Sequence, residues 1–198
     1  MKPILPGIVQ WSWHSEEKQI DFNGHVLNVG EHRILVDPPP LSSLDMTQLR
    51  QGEPVDYILI TNRDHLRETS SLREALRCRV YIPKHDAPEM DIHPDKTYTD
   101  GELLPGGIWA VHLANQKSPG ESALFIQQGK GILLVGDALL GKPAGSVSLL
   151  PPEKYADSAL AREGLRRLLK YQFDALLVGD GTSILTGAKP IVEHALAS

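Results

Sequence analysis

The sequence predicts a mixed α/β protein in which two sheets pack face to face and helices cover their outer surfaces. Three observations carry this reading. Short runs rich in β-branched and aromatic residues recur along nearly the whole chain, and runs of that length and composition read as strands. These runs fall into two groups, each followed by helix-forming stretches, so the chain has two halves of similar order. Between them, the apolar run Val55–Ile60 stops abruptly in the polar cluster Thr61-Asn62-Arg63-Asp64-His65 before helical spacing resumes. Strands that are apolar on both faces need a second sheet on one side and helices on the other.

The chain opens with three strand-like segments, Ile8–Trp13, Ile20–Val29 and Arg33–Asp37, with Gly30-Glu31-His32 as a hairpin connection. The run Pro38-Pro39-Pro40 ends the third, because proline donates no ladder hydrogen bond and restricts the residue before it. Ser42–Arg50 reads as a short helix closed near Gly52. After the strand at Val55, the stretch Leu66–Leu76 places Leu66, Leu72, Ala75 and Leu76 close to helical spacing, so Asp64 and His65 sit on a strand-to-helix turn. In open α/β sheets that is where ligands bind. Arg79–Pro83 is a further strand, and residues 84–106 read as a loop carrying solvent-facing His85 and His93. Strands are expected at Ile108–Leu113, Ser122–Ile126 and Gly131–Gly136, followed by a loop from Leu139 to Pro152 and a helix from about Glu153 to Tyr171. The chain closes with a strand at Asp174–Val178, a turn at Gly179–Thr182 and a helix from Pro190 to Ala197.

A chain of 198 residues with 41% hydrophobic and 23% charged residues can bury its core as a single domain. It has no apolar run of about 18 residues, which argues against a transmembrane helix. Residues Met1–Gly7 lack a secretory apolar core, and the lone Cys78 reads as a small core residue, so a cytoplasmic location is expected. A net charge of −5 without a basic cluster argues against a nucleic-acid partner. Trp11 and Trp13 read as sheet-packing residues. Gly136–Pro143 imitates a phosphate loop, but Pro143 stands where a Ser or Thr would hold magnesium and no helix follows.

The turn Ile60-Thr61-Asn62-Arg63-Asp64-His65 resembles the His-x-His-x-Asp-His signature of the metallo-β-lactamase fold superfamily, with the first two histidines replaced by Ile60 and Asn62. The resemblance extends from about Ile8 to Ala197 and is similar to the small, glyoxalase II-like branch. Val36-Asp37-Pro38 matches a strand ending in a structural aspartate. Lys117-Ser118-Pro119-Gly120 matches His-Ser/Thr-Pro-Gly, and Gly136-Asp137 matches the turn whose aspartate bridges two metals. Gly179-Asp180-Gly181 stands where the family carries Gly-His-Gly. The resemblance implies a four-layered αββα sandwich, with Asp37, Asp64, Lys117, Asp137 and Asp180 gathered in one cleft.

It also implies that the first metal site is lost, since Ile60 has no donor atom and a protonated Lys117 repels a cation. The second site would be formed by Asp64, His65, Asp137 and Asp180. That oxygen-rich set leans toward one manganese or iron ion, with magnesium an option and zinc less favoured than in a histidine-rich site. The other reading needs no metal, because Lys117 and His65 compensate the clustered carboxylates. Two functions follow. One is a one-metal hydrolase of an ester, thioester or lactone, with Asp137 orienting hydroxide and Lys117 stabilising the oxyanion. The alternative is a non-catalytic protein that binds a small molecule or a partner protein through Lys117, Arg63 and Lys142.

Overall fold

The computed structural model describes residues 1–197. Strands β1 (Lys2–Leu5), β2 (Ile8–Ser15), β3 (Ile20–Val29) and β4 (His32–Val36) form an antiparallel meander. Helix α1 (Ser43–Gln51) leads to β5 (Tyr57–Leu59), and α2 (Thr69–Leu76) leads to β6 (Arg79–Pro83). With β7 (Lys96–Tyr98), strands β4, β5 and β6 run parallel and complete a seven-stranded sheet in sequence order. The second sheet contains β8 (Leu103–Leu104), β9 (Ile108–His112), β10 (Ser122–Ile126) and β11 (Ile132–Val135), all antiparallel neighbours. Helix α3 (Ser158–Leu165) precedes β12 (Ala175–Val178), which lies parallel to β11, and α4 (Ala188–Ala197) follows.

Three apolar layers show why both sheets needed apolar strands. Between the sheets, Ile34, Val36 and Leu59 meet Leu124, Leu134 and Leu177. The intervening residues point the other way, as the two-residue period of a strand requires. Thus Leu35, Ile58 and Ile60 pack under Leu49 of α1 and Leu72 of α2, while Leu133, Val135, Leu176 and Val178 pack under Leu165 of α3 and Val192 and Leu196 of α4. Each fully buried Leu or Ile contributes about 2 kcal/mol relative to exposure. The expected αββα sandwich is therefore the observed architecture.

The differences from the sequence reading lie in the short or interrupted elements. Residues 2–5 add an edge strand, and residues 84–106 contribute β7 and β8 to opposite sheets rather than only a loop. The single helix expected over 153–171 is a 3-10 turn at Pro152–Lys154, then α3, then a 3-10 turn at Arg166–Lys170. Asp157 starts α3 afresh by accepting hydrogen bonds from the amides of Ala159 and Leu160. The two tryptophans part company: Trp11 is buried and its indole donates to the Pro39 carbonyl at 3.3 Å, whereas Trp13 is exposed and packs on Phe22 at 5.7 Å between centroids. Cys78 is buried, and His85 and His93 are exposed, as expected. Among the described residues, no helix is long and apolar enough to cross a membrane.

Candidate functional site

The carboxyl ends of the parallel strands place the polar residues. Asp37 follows β4, Asn62 to His65 follow β5, Asp137 follows β11 and Asp180 follows β12. The turn Arg63–His65 is held by Asn62, whose side chain accepts from the Asp64 amide at 2.9 Å. Buried Asp86 then joins this turn to the loop carrying Lys117. Its carboxylate accepts from the Arg63 amide at 2.8 Å, from the Gly120 amide at 2.7 Å, and from the Ser118 hydroxyl.

His65 lies at the centre, almost fully buried. The glycines preceding Asp137 and Asp180 make room for it. A Cβ on Gly179 would lie 2.4 Å from His65 Cε1, and one on Gly136 would lie 3.2 Å from His65 Nδ1 and 2.3 Å from Thr61 Oγ1. Each Gly-Asp pair therefore has two jobs, a gap for the ring and a carboxylate beside it. The same Nδ1 donates to Asp37 at 2.8 Å. Asp37 is fully buried and also accepts from the Thr61 amide at 2.8 Å and the Thr61 hydroxyl at 2.5 Å.

A chain of opposite charges runs through the site. Lys117 Nζ bridges Asp64 at 2.9 Å and Asp137 at 2.8 Å. His65 Nε2 lies 3.4 Å from Asp137. Arg67 closes the other side, with one guanidinium nitrogen 2.5 Å from Asp180 and 3.3 Å from His65 Nε2. Its other terminal nitrogen donates to the carbonyls of Asn23 and Asp37, both at 3.2 Å, and the guanidinium stacks 4.6 Å from the centre of the Phe22 ring.

These contacts set the protonation states. Burial and the Arg67 charge lower the His65 pKa, but Asp37 and Asp137 outweigh them and raise it to about 10. His65 is therefore an imidazolium at neutral pH, with both nitrogens as donors. Burial raises Asp137, yet His65 and Lys117 hold it well below the usual carboxylate range. Lys117 is likewise raised by Asp137 and Asp64 despite partial burial. Glu121, fully buried behind the centre, is pushed far above its usual range by burial and by Asp137.

The structure thus brings together all the predicted residues, Asp37, Asp64, His65, Lys117, Asp137 and Asp180, by contacts that link each to the next. Among the described residues, donor atoms of His65, Asp137 and Asp180 lie within 4.8 Å of one another. Asp64 is not in that group; it pairs with Lys117 at the rim. Arg63 pairs with Glu89, and Lys142 donates to the Gln19 carbonyl at 3.1 Å. Sequence reasoning missed Arg67 and Glu121. Arg67 read as an ordinary residue in the first turn of a helix, but the helix starts at Thr69, and Arg67 adopts a left-handed backbone with φ of 39° that turns its side chain into the centre.

A family model described as the metallo-beta-lactamase superfamily matches residues 1–197. The chain belongs to the metallo-β-lactamase superfamily. Solved structures agree on the fold. A metallo-beta-lactamase family protein from Thermus thermophilus superposes with a TM-score of 0.73 at 19% identity, covering 98% of this chain and 80% of that one. TTHA1623 in a di-iron-bound form gives 0.69 at 25% identity, covering 90% and 96%. The metallo-beta-lactamase FIM-1 from Pseudomonas aeruginosa in its mono-zinc form gives 0.65 at 15% identity, covering 100% and 96%. No curated protein matches the chain. Ile60 is a fully buried core residue under the helices, and Asn62 caps the turn.

Proposed function

We propose that this metallo-β-lactamase-fold chain is a non-hydrolytic protein that binds a small molecule, the carboxylates of its centre held by its own cationic side chains in place of metal ions. The observation that carries this is the pairing of every carboxylate at the centre with a protein cation: Asp64 and Asp137 with Lys117, Asp137 and Asp37 with His65, and Asp180 with Arg67. A metal ligand must offer a lone pair, and the oxygens of Asp137 and Asp180 that face the centre are already engaged by Lys117, His65 and Arg67. An ion seated among His65, Asp137 and Asp180 would also meet the Arg67 guanidinium. The residues present do not fit a metal ion as they stand.

Binding chemistry remains available at the rim. Lys117 commits two of its three N–H donors to Asp64 and Asp137, and the third can meet an oxygen acceptor such as a carbonyl or carboxylate. The one-metal hydrolase, with Asp64, His65, Asp137 and Asp180 as ligands to manganese, iron or zinc and Asp137 and Lys117 as catalytic residues, is favoured by one observation, the convergence of three of those donors. Assays on ester, thioester and lactone substrates, before and after incubation with manganese, iron(II) and zinc, separate the two. Turnover no faster than that of Asp137→Asn under every condition is expected. Metal-dependent turnover abolished by Asp137→Asn would establish the hydrolase instead.

A further inference from the structure

We propose that Arg67 is a tethered substitute for a divalent cation, and that removing its charge turns His65, Asp137 and Asp180 into a metal-binding site that the native chain keeps closed. This rests on the metal-free reading above and names the residue responsible.

The geometry separates Arg67 from a surface arginine that happens to find an acid. Its side chain is 9% exposed and its partner Asp180 is 11% exposed, so the pair is largely withdrawn from water. The guanidinium is fixed from three directions, by the Asn23 and Asp37 carbonyls, by the Asp180 carboxylate, and by the Phe22 ring behind it. Its backbone lies in the left-handed region, φ 39°, where a non-glycine residue stays only when surrounding contacts hold it. The placement puts one guanidinium nitrogen 3.3 Å from His65 Nε2 and 2.5 Å from Asp180, between two of the three donors.

The same three donors converge within 4.8 Å, close enough to share one ion once the guanidinium is gone. Without Arg67, Asp180 would be a buried carboxylate lacking its cation, and His65 would lose the positive neighbour that fills the space before Nε2. A divalent ion held by the two carboxylates and Nε2 would restore the charge. The absence of the family's first two histidines is therefore not what excludes metal from this half of the centre; the arginine is.

The test compares the native chain with Arg67→Gly, which suits the left-handed backbone and opens the space, and with Arg67→Met, which keeps the apolar stem. Manganese(II) and zinc(II) are titrated by calorimetry, with manganese also followed by electron paramagnetic resonance. The expected result is no stoichiometric binding by the native chain, and one ion per chain in at least one variant, at least tenfold tighter than any native binding and lost again on adding Asp180→Ala. If a variant is unfolded without metal, recovery of native circular dichroism on adding the ion supports the proposal equally. Folded variants that bind no better than the native chain, or unfolded ones that metal does not rescue, overturn it while leaving the metal-free reading intact. One ion bound by the native chain would overturn both.

Discussion

Asp37→Asn should lower the folding stability by about 3–5 kcal/mol, the usual cost of removing one partner from a buried ion pair. The fully buried carboxylate anchors His65 through Nδ1 at 2.8 Å and holds the end of β5 through the Thr61 amide and hydroxyl. Asparagine keeps the volume, and it tolerates the left-handed backbone that Asp37 adopts at φ 47°. The loss therefore reports charge and hydrogen bonding rather than backbone strain. The amide would present a donor where three donors already converge, and it would leave the imidazolium with Asp137 alone. Urea denaturation at pH 7 gives the number; a loss under about 1 kcal/mol, within the range of an ordinary surface change, would show that Asp37 does not anchor the centre.

The second large effect is a loss of stability toward both acid and alkaline pH, to which two histidines contribute in opposite directions. His25 is fully buried, neither ring nitrogen has a hydrogen-bond partner, and its pKa falls from 6.5 to about 4 through burial, against the pull of Asp37 and with the push of Arg67. Between these values the unfolded chain binds the proton and the folded chain does not. Stability is therefore complete above 6.5 and drains away as pH falls to 4, by about 3 kcal/mol. His65 behaves in the reverse sense. Its folded pKa of about 10 lies above the ordinary 6.5, so its contribution is complete below 6.5 and is lost as pH rises toward 10. The depressed Asp137 acts only below its ordinary 3.8, outside both windows, whereas the raised Glu121 acts in the same sense as His65 above its ordinary 4.5. Unfolding free energies measured across pH 4 to 10 should trace this arch. In His25→Leu the acid limb should flatten while the alkaline limb persists; an unchanged acid limb would remove His25 from the account.

The parts that could be read in the sequence are those fixed by local pattern. Strands such as Arg33–Val36, Ile132–Val135 and Ala175–Val178 announce themselves because burial on both faces demands uninterrupted apolar residues. The gathering of Asp37, His65, Asp137 and Asp180 was implied by the family resemblance rather than by local pattern, and the structure places each just beyond a strand. Edge strands such as Lys2–Leu5 and Leu103–Leu104 were invisible because half their surface faces solvent and their residues carry no alternating signal. The break before α3 was signalled by Asp157, a good cap, but helix-forming neighbours on both sides hid it. Arg67, His25 and Glu121 were beyond reach for a different reason: nothing in their local sequence tells a buried charge from an exposed one, and their roles come from partners far away in the chain.

The most direct test of the central claim is the metal content of the native protein. The chain is equilibrated in turn with manganese, iron(II) and zinc, freed of loosely held ions, and its bound metal counted per folded chain by elemental analysis and native mass spectrometry. Compensation by Lys117, Arg67 and His65 predicts far less than one ion per chain for every metal, with the fold unchanged by chelator. One tightly held ion per chain, lost together with native structure on chelation, would contradict it.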